Sequence, residues 1–186
     1  MIYSFDLKTA LLAVGLLLIA SHAFALVRPK VTRDFLQKLP RSRAIGFVLL
    51  VIVGVWAWLL AANIDLGEFS DWRPRLKIFI PIATLLTWFY VEEFLAVRCL
   101  GMLVLLAAEP LLESAFLRPE MSRLFLVTLV YVWVSFALFW IGMPYTLRDQ
   151  IAWVTKSDGR WKAAAFAGIG YGAILLVSLS TLHRAG

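Results

Sequence analysis

The sequence predicts an all-α, polytopic bundle of membrane-crossing helices, and three observations lead there. Of the 186 residues, 62% are hydrophobic and 16% are charged, against ~45–50% and ~25% in an ordinary soluble domain. The mean hydropathy is +0.85. The apolar residues fall into five to six long runs separated by basic patches. A water-soluble chain of this size has no core large enough to hide that much apolar surface. Lipid must therefore solvate most of it.

The first span is expected at 7–27, about 20 residues, enough to cross a bilayer. The residues before it lack a basic n-region and no small-residue cleavage site follows convincingly, so it reads as retained. A basic loop comes next, with Arg28, Lys30, Arg33, Lys38, Arg41 and Arg43 against Asp34 alone. The second span, 44–62, carries Trp56 and Trp58 near its far end, where aromatic belts lie. A polar loop with Asp65, Glu68, Asp71, Arg73 and Arg75 follows, and Gly67 and Pro74 mark it as a turn region.

The stretch 76–116 reads in two ways. Either it holds two spans, 76–91 and 96–116, joined by a charged turn, or one span is followed by a helix on the membrane surface. Pro81 and Pro110 are expected to bend or end helices there. Further spans are expected at 124–143 and 161–182. The whole chain, 1–186, then forms a single transmembrane domain with short loops and interfacial amphipathic segments.

Charge favours six crossings over five. With six, the basic loop 28–43, Arg98, Arg148, Lys156, Arg160 and Lys162 lie on one side. They outnumber Lys8, Arg73, Arg75, Lys77, Arg118, Arg123 and Arg184 on the other. The positive-inside rule then predicts a bacterial inner-membrane protein with segments 28–43 and 144–162 in the cytoplasm. An internal echo agrees: Pro29, Arg33 and Asp34 recur as Pro144, Arg148 and Asp149 in a Pro-x-x-x-Arg-Asp pattern. Each copy follows an apolar span and leads into a short amphipathic stretch. Shared membrane-surface geometry accounts for this better than duplication. In that geometry Phe35, Leu36 and Leu39, or Ile151, Trp153 and Val154, dip into the head groups while Arg and Asp stay wet.

Few residues suggest chemistry. Glu109 and Glu113 are four apart and share a helix face, and Arg98 falls on roughly that face three turns earlier. Ionisable groups at membrane depth often mark an ion or proton path. They also serve as subunit contacts. Glu92, Glu93 and Arg98 form a second polar group, expected in a solvated turn. His22 and His183 would lie near opposite membrane faces, which argues against shared haem ligation. His22 is expected to be a hydrogen-bonded interhelical residue or a surface contact. Ala164, Gly168 and Gly172 form a small-x-x-x-small series that lets two helices approach closely. Gly46 and Gly54, on the second span, look less suited to such a contact. The tryptophans read as interfacial anchors.

The lone Cys99 forms no internal disulfide, and no Cys/His metal set, phosphate loop or nucleophile–base series is present. No metal and no cofactor is expected. The net charge of +6 is assigned to lipid head groups rather than nucleic acid. The expected partners are the bilayer and other membrane subunits or a second copy. The function expected is that of a non-catalytic integral subunit or scaffold in a larger membrane assembly. The alternative is a small ion- or proton-coupled transporter or channel using the Arg98–Glu109–Glu113 stripe.

Overall fold

A computed structural model describes residues 6–64, 66–91 and 93–182, with side chains through 179. The described residues are helical almost throughout and contain no strand. The helices are α1 (Leu7–Val27), α2 (Pro29–Lys38), α3 (Arg43–Asn63), α4 (Arg73–Tyr90), α5 (Leu95–Ala115), α6 (Arg123–Gly142), α7 (Tyr145–Thr155) and α8 (Asp158–Leu182). Short 3-10 turns, Leu39–Arg41 and Gly67–Trp72, precede α3 and α4. Five helices, α1, α3, α5, α6 and α8, are long and apolar enough to cross a membrane. The stretch 76–116 holds two helices, α4 and α5.

Local chemistry explains the boundaries. Pro29 opens α2 at a position where its missing N–H costs nothing. Ser42 caps α3, its Oγ accepting from the Ile45 N–H at 3.3 Å. Phe94 and Leu117 stand at the joints before α5 and after it, at φ 56° and 54°. That left-handed backbone costs a residue with a side chain roughly 1–2 kcal/mol. At Phe94 the cost is offset by packing against Leu39, Val97, Leu147 and Ile151.

The expectation that Pro81 and Pro110 bend or end helices is corrected as far as ending goes: both lie inside continuous helices. Proline frees the carbonyl four residues before it, and the one before Pro81, that of Lys77, accepts the Trp58 indole N–H at 3.2 Å.

The core lies where α1, α5, α6 and α8 meet. Leu7, Leu11 and Val14 of α1 pack with Ala108 and Ala115 of α5, Leu126 and Val130 of α6 and Leu175 of α8. Helices α3 and α4 extend from this four-helix core as an arm, α3 against α5 and α4 chiefly against α3. The pairs meet at glycines. A Cβ on Gly172 would lie 2.8 Å from the Gly15 carbonyl oxygen, so α1 and α8 touch backbone to backbone. A Cβ on Gly101 would stand 2.9 Å from the Ala137 oxygen of α6. Gly46 faces the Ala96 nitrogen of α5, and Gly54 faces Thr84 of α4, with built-Cβ distances of 3.0 and 2.8 Å. The reading of Gly46 and Gly54 as poor contact points is therefore overturned. Two glycines eight apart mark two different partners, which a search for one small-residue face does not reveal.

These contacts fix directions. Trp58 donates its indole N–H to the Lys77 carbonyl at 3.2 Å, and Phe47 meets Trp88 edge-on at 4.8 Å. Hence α4 runs antiparallel alongside α3. It returns the chain to the end where α3 began, because α5 starts beside Gly46. One end of the bundle, here the basic end, gathers α2, α7, the starts of α3, α5 and α8, and the finishes of α1, α4 and α6. The other end carries the start of α1, where Arg118 pairs with Asp6 at 3.1 Å.

Candidate functional site

At the basic end, α2 and α7 lie against each other and close the bundle. Leu39, Leu147 and Ile151 pack on Val97 of α5, flanked by Leu36 and Trp140. Phe35 and Trp153 remain exposed. Gln37 donates to the Thr155 hydroxyl at 3.2 Å across the two helices. Arg33 pairs with Asp158 at the start of α8 at 2.6 Å and stacks over the Trp161 ring at 4.9 Å. Arg148 pairs instead with its neighbour Asp149, at 2.8 Å. Asp34 is exposed. The two Pro-x-x-x-Arg-Asp copies thus both lead into short helices at this end, but α7 buries Leu147 and Ile151 while α2 buries none of its residues, and their arginines do different work.

The polar residues of α5 sit apart. Arg98 is half-buried and donates Nη1 to the Ile141 carbonyl at the end of α6, at 2.8 Å. It thereby closes one of the carbonyls left open in a helix's last turn. Glu109 follows eleven residues on, about 16 Å along the axis, so the shared face does not make a contact. Glu109 is exposed within the span and Glu113 is half-buried nearer its end. Glu93 is exposed in the joint between α4 and α5, and Glu92 lies outside the described residues.

The small residues of α8 divide. Gly168 and Gly172 face α1, the first against the His22 ring and the second against Gly15, Leu18 and Ile19. Ala164 is exposed and lines a cavity of about 280 Å3 with Ser21, His22 and Ala25. Its neighbour Ala165 is buried in its place. His22 donates Nδ1–H to the Leu18 carbonyl one turn back, at 2.8 Å. His183 lies outside the described residues. Trp161 is buried and donates to the Ala25 carbonyl at 3.1 Å, and Trp140 donates to Gln150 Oε1 at 3.1 Å. Reading every tryptophan as an interfacial anchor missed these ties, because indole serves a buried partner as well as a head group.

The cavities are of two kinds. A groove of about 430 Å3 between α3 and α4 is lined by Phe47, Leu50, Val51, Gly54, Val55, Trp58, Pro81, Thr84, Leu85 and Trp88. A second, of about 560 Å3, runs between α3 and α5 and is also apolar. At the basic end a pocket of about 600 Å3 is polar, lined by Pro40, Arg41, Ser42, Arg43, Glu93, Phe94, Leu95 and Arg148. The starts of α3 and α5 both open on it. Sequence reading placed Arg41, Arg43, Glu93 and Arg148 in three separate segments and did not bring them together. No group of His, Cys, Asp and Glu among the described residues has the geometry of a metal site.

The chain matches no protein-family model, no curated protein and no solved structure.

Proposed function

We propose that the chain is a non-catalytic integral subunit or scaffold of a larger membrane assembly, set in a bacterial inner membrane with its basic end in the cytoplasm. The observation that carries this reading is Glu109, an exposed carboxylate within span α5. A charged side chain facing lipid costs roughly 2.5–3.5 kcal/mol near a span's centre. A polar group from a neighbouring chain removes that cost. The grooves along the spans support the same reading over a carrier, since their linings are apolar and Arg98 is engaged with the Ile141 carbonyl.

The test is gentle extraction of tagged protein from its native membrane, with mass spectrometry of what accompanies it. Stoichiometric partner subunits are expected, and Glu109→Lys should lower their recovery about tenfold or more. A lone chain in the native extract would overturn the proposal.

Six crossings belong to this reading, with α4 as the sixth. Its 18 residues rise about 27 Å, close to the ~30 Å hydrocarbon thickness. In a Cys99→Ala background, Glu68→Cys and Glu93→Cys are then expected on opposite faces. A membrane-impermeant maleimide applied to spheroplasts should label the first and reach the second only after permeabilisation. Labelling of both from outside would show that α4 does not cross.

A further inference from the structure

The cavity beside His22 is built from four helices. Ser21 and His22 of α1 line one side and Trp161 and Ala164 of α8 the other, with Thr32 and Leu36 of α2 closing it at the basic end. Val154 adds a contact from α7. Ser21 and Ala164 are both exposed, so the cavity opens on the flank of the bundle between α1 and α8. His22 stands five residues inside the end of α1, about 8 Å along the axis. A molecule dissolved in the membrane enters there without passing through water. The room is about 280 Å3, and an apolar protein cavity of roughly 150 Å3 already takes benzene. One substituted ring fits, and a whole phospholipid does not.

The hydrogen bonds around His22 decide what the cavity offers. Nδ1 lies 2.8 Å from the Leu18 carbonyl and 3.2 Å from Ser21 Oγ. A carbonyl only accepts. The Ser21 hydroxyl spends its own hydrogen on the Leu17 carbonyl, at 2.7 Å, so its oxygen faces Nδ1 as an acceptor too. The ring hydrogen is therefore on Nδ1. In the neutral ring the other nitrogen, Nε2, is then an acceptor, and it has no hydrogen-bond partner among the described residues.

Gly168 sets the direction of that lone pair. A Cβ there would meet Cγ, Cδ2 and Nε2 of His22 at nearly equal distances. Only a point above the ring has that relation, so the imidazole lies flat on Gly168 with its edge clear of α8. The in-plane lone pair of Nε2 points away from Leu18 and not into the neighbouring helix. Thr32 is committed in the same way. Its hydroxyl donates to the Arg28 carbonyl at 3.0 Å, which leaves its oxygen as an acceptor. Trp161 also donates into its own partner, the Ala25 carbonyl. A ligand that complements these groups brings the hydrogen itself. Charge is costly at membrane depth, which favours a neutral donor, and the Trp161 indole favours an aromatic body.

We propose that this cavity binds a small membrane-soluble phenol. Its hydroxyl donates to His22 Nε2 and its ring lies between α1 and α8 against Trp161. The inference concerns a bound small molecule and stands whether or not the chain belongs to an assembly.

The test is fluorine NMR of the full chain in nanodiscs, with 4-(trifluoromethyl)phenol as the probe. A saturable bound signal is expected beside that of the lipid-dissolved probe. The methyl ether, 4-(trifluoromethyl)anisole, has nearly the same shape but no hydrogen to donate, and it should be held about tenfold less tightly. His22→Phe keeps a ring on Gly168 and removes the acceptor. It should weaken the phenol by a similar factor and leave the anisole unchanged, a split that a general loss of packing does not produce. Ala164→Phe, which fills the cavity from its exposed side, should abolish binding of both. Gly170→Ala, where a Cβ meets nothing within 4 Å, should change neither, and circular dichroism should show each variant folded.

Equal retention of phenol and anisole by the native chain would overturn the proposal, because the cavity would then read shape alone. So would a His22→Phe variant that holds the phenol as before or weakens both ligands alike. Tighter retention of 4-(trifluoromethyl)benzylamine, which is charged at neutral pH, would make it a site for a cation. The lack of any saturable signal would mean that the cavity holds only water.

Discussion

Gly172→Val is expected to separate α8 from α1 and to lower the stability of the purified protein by about 3 kcal/mol, the upper end of the usual overpacking cost. The first atom of any side chain there would stand 2.8 Å from the Gly15 carbonyl oxygen and from the Ile19 side chain, and 3.1 Å from Leu18 Cβ. Ile19 can turn aside. The Gly15 oxygen belongs to a helix backbone and moves only if the whole helix moves. Since α1 supplies Leu7, Leu11 and Val14 to the central core, the loss does not stay local. Gly170→Ala is the control, because a Cβ at Gly170 meets nothing within 4 Å. It should leave stability unchanged or raise it by up to about 1 kcal/mol through helix propensity. Unfolding in mild detergent, followed by circular dichroism, measures both. Equal losses would mean that Gly172 is not a helix contact.

Leu126→Ala should be the next most damaging change, at about 2 kcal/mol. Leu126 is 0% exposed and sits among α1, α5 and α8 residues in the core. In water a buried Leu→Ala substitution costs roughly 2.7–5 kcal/mol, which combines lost transfer from water with a cavity. A helix that unfolds from its neighbours within lipid or detergent still leaves its leucines in hydrocarbon. The transfer part therefore largely drops out, and lost packing remains. Val132, on the same helix, is 45% exposed, and Val132→Ala should cost less than about 0.5 kcal/mol. A cost at Val132 matching that at Leu126 would remove α6 from the core.

The long apolar helices were legible because a span needs only length and hydropathy, and α1, α3, α5, α6 and α8 have both. The start of α4 was less so. Arg73, Pro74 and Arg75 read as a polar turn, yet they form its first turn, since proline near a helix start sacrifices no hydrogen bond. The surface helices α2 and α7 were legible from the repeated Pro-x-x-x-Arg-Asp, but the pairing of Arg33 with Asp158 was not. It joins residues 125 positions apart, and no local pattern records which acid an arginine meets. Arg98 shows the same limit more sharply. Its partner is a backbone carbonyl on α6, and every residue type offers one. The pocket at the basic end assembles residues from three connections and became visible only once the helix directions were known.

The α3–α4 arm bears on how the chain is made. On the six-crossing reading, α4 emerges from the ribosome with Arg73, Arg75 and Lys77 at its leading end, and these must pass to the far side of the bilayer. Its own apolarity falls short of that of the other spans, because it is not among the five that qualify by composition. What it has is α3, already made and lying antiparallel, with Gly54 opposite Thr84 and Trp58 ready to bond the Lys77 carbonyl. The two would leave the translocon together as a hairpin. The decision to insert α4 is then written as much in the preceding helix as in α4 itself.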